Sequence, residues 1–300
     1  MSERFLAIVN PAAGGKRCGK LAPAALGELR KKGVDIEVRN TAAAGDATRL
    51  AREYYSQGWR NFIAVGGDGT SYEIVNGLFP EALSGGKPSL GFLPLGTGNS
   101  FLKDFTSNGE SGAGEAIASG RRRSCDVIRL THANGELFYI NLLTLGFAAD
   151  VAAATNKRFK AFGEVGYVLG VLLCLARLDR RAFPHRLDLA AELDNRRCLF
   201  LAFNNSRYTG GKMMIAPKAE ADDGLLEYVR WGPIGRLGLL RNLPTLFDGT
   251  HIQHPLASRA AVRRVDFELG GPVSVMVDGE SYELDCRAIE VLPGALDIFA

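Results

Sequence analysis

Three glycine-rich segments, each following a short apolar run, have a composition suited to phosphate binding. They cover residues 10–15, 66–70 and 94–99. Glycines let backbone amides approach a ligand closely, and a helix that follows such a loop presents its positive amino end to an anion. Asp68 is an acid among these amides, which is consistent if a divalent cation lies between its carboxylate and a phosphate. Asp68 could equally cap the helix that follows it, and the two roles are compatible.

The apolar runs and the segments between them predict alternating strands and helices in the first third of the chain. Strands are expected at residues 5–9, 34–38, 61–65 and 90–93, and helices at 21–32, 46–57 and 71–78. Such alternation indicates a parallel sheet with helices on both faces. The carboxyl ends of its strands share one edge, so the glycine-rich segments are expected to meet in one crevice.

The pattern changes near Cys125 to short alternating runs, which indicate an antiparallel sandwich or barrel. The expected strands cover residues 127–131, 137–142, 187–193, 199–203, 225–230, 262–269, 273–277 and 288–292. A helical insertion is expected at about 149–178, and a second helical piece at 234–247. The predicted domains are 1–126 and 127–293, with a tail, 294–300, returning to the first domain.

The composition is that of an ordinary globular protein, with 46% hydrophobic and 23% charged residues among 300 and a net charge of +3. Basic residues cluster at 121–123 and at 177–186. These clusters form either a solvated face or a contact with anionic lipid headgroups. No nucleic-acid recognition motif accompanies them, so nucleic acid is not an expected partner.

The five scattered cysteines contain no CxxC pair, which argues against a disulfide framework or a zinc site and favours a reducing cytosol. The amino-terminal residues lack the long apolar core of a signal peptide. The most apolar stretch, 165–176, has twelve residues without a charge, and a bilayer span needs about 20. It predicts either a buried helix or a contact with lipid tails. We therefore expect a cytoplasmic protein with peripheral contact at the inner face of the membrane.

Residues 66–77 (GGDGTSYEIVNG) resemble the nucleotide-binding signature of the diacylglycerol kinase catalytic domain family, which includes sphingosine, ceramide and several bacterial lipid kinases. Residues 10–16 and 94–99 resemble its first and third loops, and motifs within 210–226 and 277–280 follow in the family's order. The resemblance therefore covers nearly the whole chain. It implies a nucleotide-binding α/β/α domain like that of NAD kinase and phosphofructokinase, with a carboxy-terminal antiparallel β-sandwich. It also implies ATP-dependent phosphorylation of a lipid hydroxyl, with a diacylglycerol-like or sphingoid-like acceptor.

The resemblance assigns roles to individual residues. It implies ATP contacts from Asn10, Thr41, Gly66, Gly67, Asp68, Gly69, Thr70, Ser71, Tyr72, Gly96 and Thr97. Asp68 would organise the phosphates and a catalytic Mg²⁺, and Glu280 would be the general base for the acceptor hydroxyl. A further Mg²⁺ would be held by the Asp223 carboxylate and by the backbone carbonyls of Glu220 and Leu225.

The same residues have plainer interpretations. Asp278-Gly279 between two apolar runs predicts a hairpin turn, which would make Glu280 an ordinary residue at the turn. Residues 222–224 likewise predict a loop.

Two positions depart from the family pattern. Ser100 stands where many bacterial diacylglycerol kinases have aspartate, although sphingosine kinases also lack that acid, and Tyr72 replaces a common asparagine. Two alternatives follow: a nucleotide- or lipid-binding protein of the same fold that has lost catalysis, or an NAD kinase, which shares the glycine–glycine–aspartate–glycine loop. The motifs at 10–11, 222–226 and Glu280 favour the lipid branch. The acceptor lipid and the oligomeric state stay open.

Overall fold

The computed structural model describes residues 3–106, 109–154, 173–188, 190–210 and 212–300. The chain forms two compact units. Unit 1 comprises Met1–Val127, Ala221–Asp223 and Leu292–Ala300, and unit 2 comprises Ile128–Glu220 and Gly224–Val291. Each unit is therefore assembled from segments that are distant in sequence.

Unit 1 is built on a parallel sheet whose strands lie in the order β2-β1-β3-β4-β19. The strands are β1 (Arg4–Val9), β2 (Asp35–Asn40), β3 (Asn61–Gly66), β4 (Ser89–Pro94) and the end of β19 (Cys286–Phe299). The helices are α1 (Arg17–Lys31), α2 (Asp46–Ser56), α3 (Asp68–Leu78) and α4 (Gly109–Ser119), with single 3-10 turns at Glu81–Leu83 and Phe101–Asp104. Alternate side chains of β1 pack with α1 and α4 in one apolar core, as expected for a strand buried on both faces.

The predicted parallel sheet is confirmed. Its strand bounds differ from the prediction by one or two residues, α4 was not predicted, and two helices begin earlier than predicted. Helix α1 begins at Arg17 rather than at 21 and contains Pro23. The earlier start buries Cys18 in the core beside Ala22, and this packing outweighs the poor fit of proline inside a helix. Helix α3 begins at Asp68, so the second glycine-rich segment runs directly into its first turn.

Unit 2 contains an antiparallel sheet with the strand order β15-β14-β11-β7-β17-β18. These strands are β7 (Leu142–Gly146), β11 (Phe200–Asn204), β14 (Leu226–Trp231), β15 (Ala257–Val262), β17 (Val273–Val277) and β18 (Glu280–Leu284). Further strands are β5 (Arg122–His132), β6 (Gly135–Tyr139), β9 (His185–Leu187) and β16 (Arg264–Phe267), where β16 pairs with β9 and with the start of β19. Short pairs are β8 (Arg181–Ala182) with β10 (Arg197–Cys198), and β12 (Tyr208–Thr209) with β13 (Met213–Met214).

The two sheets of unit 2 face each other across an aromatic core. Phe203 and Tyr228 from the first sheet contact Phe267 from β16 or His185 from β9, with ring centroids 5.3–6.3 Å apart. Face-to-face packing of two antiparallel sheets is a β-sandwich, which confirms the predicted class and removes the barrel alternative. The helices of this unit include α5 (Phe147–Ala154), α6 (Arg236–Asn242) and α7 (Thr245–Asp248), with a 3-10 turn at Thr250–Gln253.

Several predicted strands of unit 2 have wrong bounds. The strand expected at 137–142 is two strands, because the amides of residues 140–142 donate to a side chain, described below, instead of continuing one ladder. The strand expected at 187–193 ends at Leu187, since Asp188 adopts a left-handed φ of 51°. The expected strand at 262–269 is the junction of β15 and β16. Most of the predicted helical insertion, 155–172, lies outside the described residues, and so does most of the apolar stretch at 165–176.

Candidate functional site

The glycine-rich segments meet at the carboxyl edge of the unit 1 sheet. The Asn10 amide donates to the Val65 carbonyl at 2.9 Å, which ties the segment after β1 to the end of β3. The Gly96 amide donates to the Gly66 carbonyl at 2.8 Å, which ties the segment after β4 to the same strand end. Thr41, directly after β2, donates its amide to the last residue of β1 at 2.9 Å. The parallel sheet thus brings the three glycine-rich segments together, as predicted, and places the end of β2 beside them.

Backbone contacts between these segments leave no room for side chains. A Cβ added to Gly96 would lie 2.6 Å from the Gly67 nitrogen, and one added to Gly67 would lie 2.8 Å from the Gly98 carbonyl oxygen. A Cβ on Gly14 would lie 2.9 Å from the Leu95 carbonyl oxygen. Glycine at these positions is therefore required by the close approach of three loops, which leaves backbone groups lining the edge.

The first loop has an uncommon backbone conformation. Gly14, Gly15 and Lys16 have φ angles of 60°, 64° and 71°, all left-handed, immediately before α1 begins. For lysine this conformation costs about 1 kcal/mol or more, since its Cβ crowds the carbonyl. The strained turn holds an exposed cationic residue next to the amino end of α1, an arrangement that suits an anionic ligand.

Asp68 joins the second loop to the third. One carboxylate oxygen, Oδ2, accepts the Ser100 amide at 2.9 Å, and the Asp68 amide donates to the Gly98 carbonyl at 2.9 Å. Burial raises the pKa of the Asp68 carboxyl above its ordinary value, and hydrogen bonds from Ser100 and Phe101 partly oppose that rise. The N-cap of α3 is Gly67, so Asp68 is the first helical residue rather than the predicted cap.

The remaining residues assigned to ATP differ in exposure. Thr70, Ser71 and Tyr72, in the first turn of α3, have side chains with only 3%, 3% and 4% exposure. The Ser71 hydroxyl donates to the Asp68 carbonyl at 2.9 Å, which stiffens that turn. Gly69 is partly exposed, and Thr97 is exposed at the tip of the third loop. The Thr70 and Ser71 amides also donate to the Gly67 carbonyl, at 2.9 and 3.4 Å. Residues 70–72 are therefore engaged within α3, whereas Thr97 exposes its side chain.

Glu280 lies in unit 2, directly after the turn that joins β17 and β18. Asp278 and Gly279 have φ angles of 47° and 93°, and Val277 pairs with Glu280, so the two central residues form a tight hairpin turn. The hairpin predicted from the Asp-Gly pair is thus confirmed. Glu280 is the first residue of β18, and its side chain is exposed.

Asp278 has a structural role that the sequence analysis missed. Its side chain is 5% exposed, and its carboxylate accepts the amides of Ile140, Asn141 and Leu142 at 3.1, 3.1 and 2.8 Å. These amides follow β6, up to 138 residues away in sequence, so no local pattern distinguishes Asp278 from an ordinary turn acid. The contact fixes the hairpin to the neighbouring strands and thereby fixes the backbone from which the Glu280 side chain extends.

The chain is similar to known proteins along its whole length. Residues 4–130 match the family model of the diacylglycerol kinase catalytic domain, and residues 141–300 match that of the YegS C-terminal NAD kinase beta sandwich-like domain. A diacylglycerol kinase of Mycobacterium tuberculosis is 30% identical over 300 residues, covering 98% of this chain and 94% of the relative. The chain belongs to the diacylglycerol kinase and YegS family of lipid kinases.

Other relatives place the chain in the same family. A Pectobacterium atrosepticum protein named "probable lipid kinase YegS-like" is 33% identical over 278 residues, covering 91% of this chain and 88% of the relative. The crystal structure of a diacylglycerol kinase from Bacillus anthracis strain Sterne superposes with a TM-score of 0.69, covering 99% of this chain and 96% of that one. At 21% identity this structure bears on the fold alone. Within the described ranges, no helix of this lipid-kinase family member is long and apolar enough to cross a bilayer.

Among the described residues, Asp68 is the one acidic side chain that lines a small cavity at this edge of the sheet. The rest of the lining combines Gly66, Gly67, Ser71 and Asn99 with apolar residues that include Ala64, Phe92, Leu93 and Leu102. Mg²⁺ is usually bound by one or two carboxylates together with phosphate oxygens and water. Over the part of the chain that the structure describes, no group of three or more His, Cys, Asp or Glu side chains could hold a metal. A cation here would therefore rely on the phosphates of a bound nucleotide.

The residues assigned to a further Mg²⁺ lie in one short segment. Glu220 is the last residue of one part of unit 2, Asp223 belongs to unit 1, and Leu225 belongs to the next part of unit 2. Within unit 1, the Asp222 carboxylate forms an ion pair with Arg123 at 3.0 Å. Cation binding by Asp223, Glu220 and Leu225 stays a prediction.

Asp278→Ala is expected to lower the free energy of unfolding by about 3–5 kcal/mol, because three buried amides lose a charged acceptor. Urea unfolding monitored by circular dichroism measures this change. Glu283→Ala, on the exposed side of the same hairpin, is the matched control and is expected to change stability by about 0.5 kcal/mol or less. Equal unfolding midpoints for the two variants would contradict the anchoring role of Asp278.

Proposed function

We propose that the protein transfers the γ-phosphoryl group of ATP to the hydroxyl group of a diacylglycerol-like or sphingoid-like lipid. The observation that carries the proposal is the meeting of three glycine-rich loops around Asp68 at one sheet edge. The family relationship supports the same reaction class. The proposed place of reaction is the inner face of the membrane, with the protein in the cytoplasm.

The nucleotide would bind along the carboxyl edge of the unit 1 sheet. Asn10, Thr41 and the glycine-rich segments at 66–72 and 96–97 supply backbone and short polar side-chain contacts there. The amino end of α3 adds a partial positive charge, which favours a phosphate group. Exposed Lys16 in the first loop adds a full positive charge next to the same edge.

Asp68 would hold a Mg²⁺ ion that accompanies ATP, and that ion would supply neutralisation of the negative charge on the phosphate oxygens. The carboxylate is already oriented, because its Oδ2 atom accepts the Ser100 amide. An oriented carboxylate loses little freedom when the ligand binds, so its negative charge would be directed at the cation.

Glu280 would act as the general base toward the lipid. Its carboxylate would take the proton of the acceptor hydroxyl while the hydroxyl oxygen forms a bond to the γ-phosphorus and the bond to ADP breaks. The exposed position at the start of β18 leaves the carboxylate accessible to a lipid headgroup. The buried Asp278 anchor limits the motion of the hairpin that carries it.

The serine at position 100 is compatible with catalysis. The contact from Ser100 to the Asp68 carboxylate includes the backbone amide, which any residue other than proline would supply. The loss of an aspartate at this position therefore leaves the orientation of Asp68 in place. The orientation of Asp68 therefore gives no reason to prefer the binding protein that has lost catalysis.

The test is transfer of radiolabelled γ-phosphate from ATP, with Mg²⁺, to diacylglycerol, sphingosine, ceramide and NAD in parallel reactions. We expect one labelled lipid, no labelled NAD and loss of the product when EDTA removes the cation. Label on NAD alone would replace the proposal with an NAD kinase. ATP binding by calorimetry without labelled product from any acceptor would support the impaired-protein alternative.

A further inference from the structure

Helices α6 and α7 expose large apolar side chains to solvent. Leu237, Leu240, Leu243 and Phe247 are 82%, 52%, 39% and 50% exposed, and we call these four residues the apolar face. Among the described residues, seven large hydrophobic side chains are exposed, and five of them lie between 237 and 256. Scattered exposed leucines are ordinary, whereas such a concentration indicates an interaction surface.

The four side chains lie on one side of a nearly continuous helical segment. Their spacing of three, three and four residues matches the helical repeat. The backbone between the two helices is itself helical, with φ and ψ of −54° and −41° at Leu243 and −58° and −32° at Pro244. The apolar face is therefore a stripe along one surface rather than a set of unrelated side chains.

An adjoining side of this segment already packs in the core of unit 2. Leu239 and Leu246 are 3% and 7% exposed and pack with Trp231 and Phe200 in one apolar cluster. Since the helices are anchored through these residues, folding of unit 2 does not require the outer leucines and phenylalanine. The helices are thus apolar on the anchored side and on an outer side, which a helix facing only water would not be.

The charges beside the apolar face are predominantly positive. Arg236 begins α6 and donates to the carbonyls of Leu175 and Ala176 at 3.0 and 2.7 Å, which places the segment bearing exposed Arg177 beside it. Exposed Arg241 lies in the last turn of α6. Between residues 232 and 256, Asp248 is the one acidic residue.

We propose that the apolar face is a membrane-docking surface that inserts into the headgroup region of a bilayer rich in anionic lipids. Leucine and phenylalanine side chains would enter the boundary between headgroups and acyl chains, while Arg236, Arg241 and Arg177 contact anionic headgroups. This inference rests on the proposed function, because a lipid acceptor resides in the bilayer that the surface would contact. It adds the surface of the molecule that would meet the membrane, which the reaction alone does not specify.

Vesicle sedimentation with the full chain tests the proposal. Wild type is expected to bind vesicles of equal parts phosphatidylglycerol and phosphatidylcholine. The double variant Leu237→Ser/Leu240→Ser, the serine variant, is expected to bind them at least about tenfold more weakly, because apolar area is lost. Leu21→Ser/Leu83→Ser removes two leucines of 40% and 45% exposure in unit 1 and is the matched control. Arg241→Gln is expected to weaken binding about fivefold on these vesicles, with little change on phosphatidylcholine alone.

Insertion into the bilayer is measured by tryptophan fluorescence. With vesicles present, Leu237→Trp is expected to show emission that is blue-shifted relative to the wild-type background. Brominated acyl chains are expected to quench this emission. Equal vesicle binding by wild type and Leu237→Ser/Leu240→Ser would overturn the proposal. So would light scattering that shows a wild-type dimer, dissociated by the serine variant, with vesicle binding unchanged, since the apolar face would then contact a second copy.

Phosphoryl transfer to a short-chain diacylglycerol dispersed as monomers separates this proposal from the proposed function. The serine variant is expected to retain wild-type transfer to the monomeric lipid and to lose transfer to vesicle-embedded lipid. Wild type that transfers phosphate neither to monomeric nor to vesicle-embedded lipid would remove the reaction. The docking surface would stand if vesicle binding still depended on Leu237 and Leu240. Normal transfer by the serine variant, both to monomeric and to vesicle-embedded lipid, would leave the reaction and remove the docking surface.

Discussion

Asp68→Asn is expected to lower the rate of phosphoryl transfer by roughly 10³-fold, because the amide cannot hold a divalent cation against the phosphates of ATP. The substitution keeps the shape of the side chain and an oxygen that can accept the Ser100 amide. Steady-state transfer from ATP, with protein folding checked by circular dichroism, measures the effect. Full activity in this variant would remove Asp68 from the mechanism.

The same substitution is expected to stabilise the protein at neutral pH. Burial raises the pKa of Asp68 in the folded state, so the folded protein binds more protons than the unfolded chain between the ordinary pKa of 3.8 and the raised value. Wild-type stability therefore falls as pH rises through this window, and the Asn variant lacks that fall. Melting temperatures of both proteins across pH 3–8 test this prediction. A difference in melting temperature between the two proteins that stays constant with pH would contradict the raised pKa of a buried Asp68.

Glu280→Gln is expected to lower kcat by roughly 10²–10⁴-fold while leaving the binding of ATP unchanged, because the variant loses only the proton acceptor for the lipid hydroxyl. Glu280 is exposed, so the free energy of unfolding is expected to stay close to that of wild type. Glu283→Gln changes a second exposed acid of β18 and is the matched control.

Transfer rates with ATP and lipid, together with calorimetric titration of ATP, separate the two effects. A loss of ATP affinity in the Glu280 variant would place this residue at the nucleotide instead of the acceptor. An equal loss of kcat in both glutamate variants would point to damage of the hairpin rather than to removal of a base.

Most of unit 1 could be predicted from the sequence because each of its signals is local. Apolar runs mark β1, β3 and β4, and glycines after each run mark the loops that meet at the sheet edge. The start of α1 differs from the prediction because it depends on how Cys18 packs in the core, which involves residues far along the chain. Local patterns fix the kind of element, and tertiary packing fixes its ends.

Unit 2 was harder to predict because its boundaries depend on distant partners. Asp278 interrupts a predicted strand by accepting the amides of residues 140–142, and neither segment reveals the other in sequence. The Asp278-Gly279 turn itself was predictable, since two left-handed residues between strands need that kind of pair. The role of the carboxylate as an anchor was not, because a turn acid and a buried acceptor have the same local sequence.

Strand β19 makes the completion of unit 1 depend on the order in which the chain is synthesised. Asp297 and Ile298 pair with Ser89 and Leu90 of β4, so until residues 292–300 leave the ribosome that strand has an open edge. The ribosome needs roughly 10–30 s to add the residues between the two parts of unit 1. During that interval the nascent sheet presents unpaired backbone groups that can join another chain. We therefore expect residues 1–127 expressed alone to aggregate, and a covalently appended copy of residues 292–300 to restore a monomeric fold.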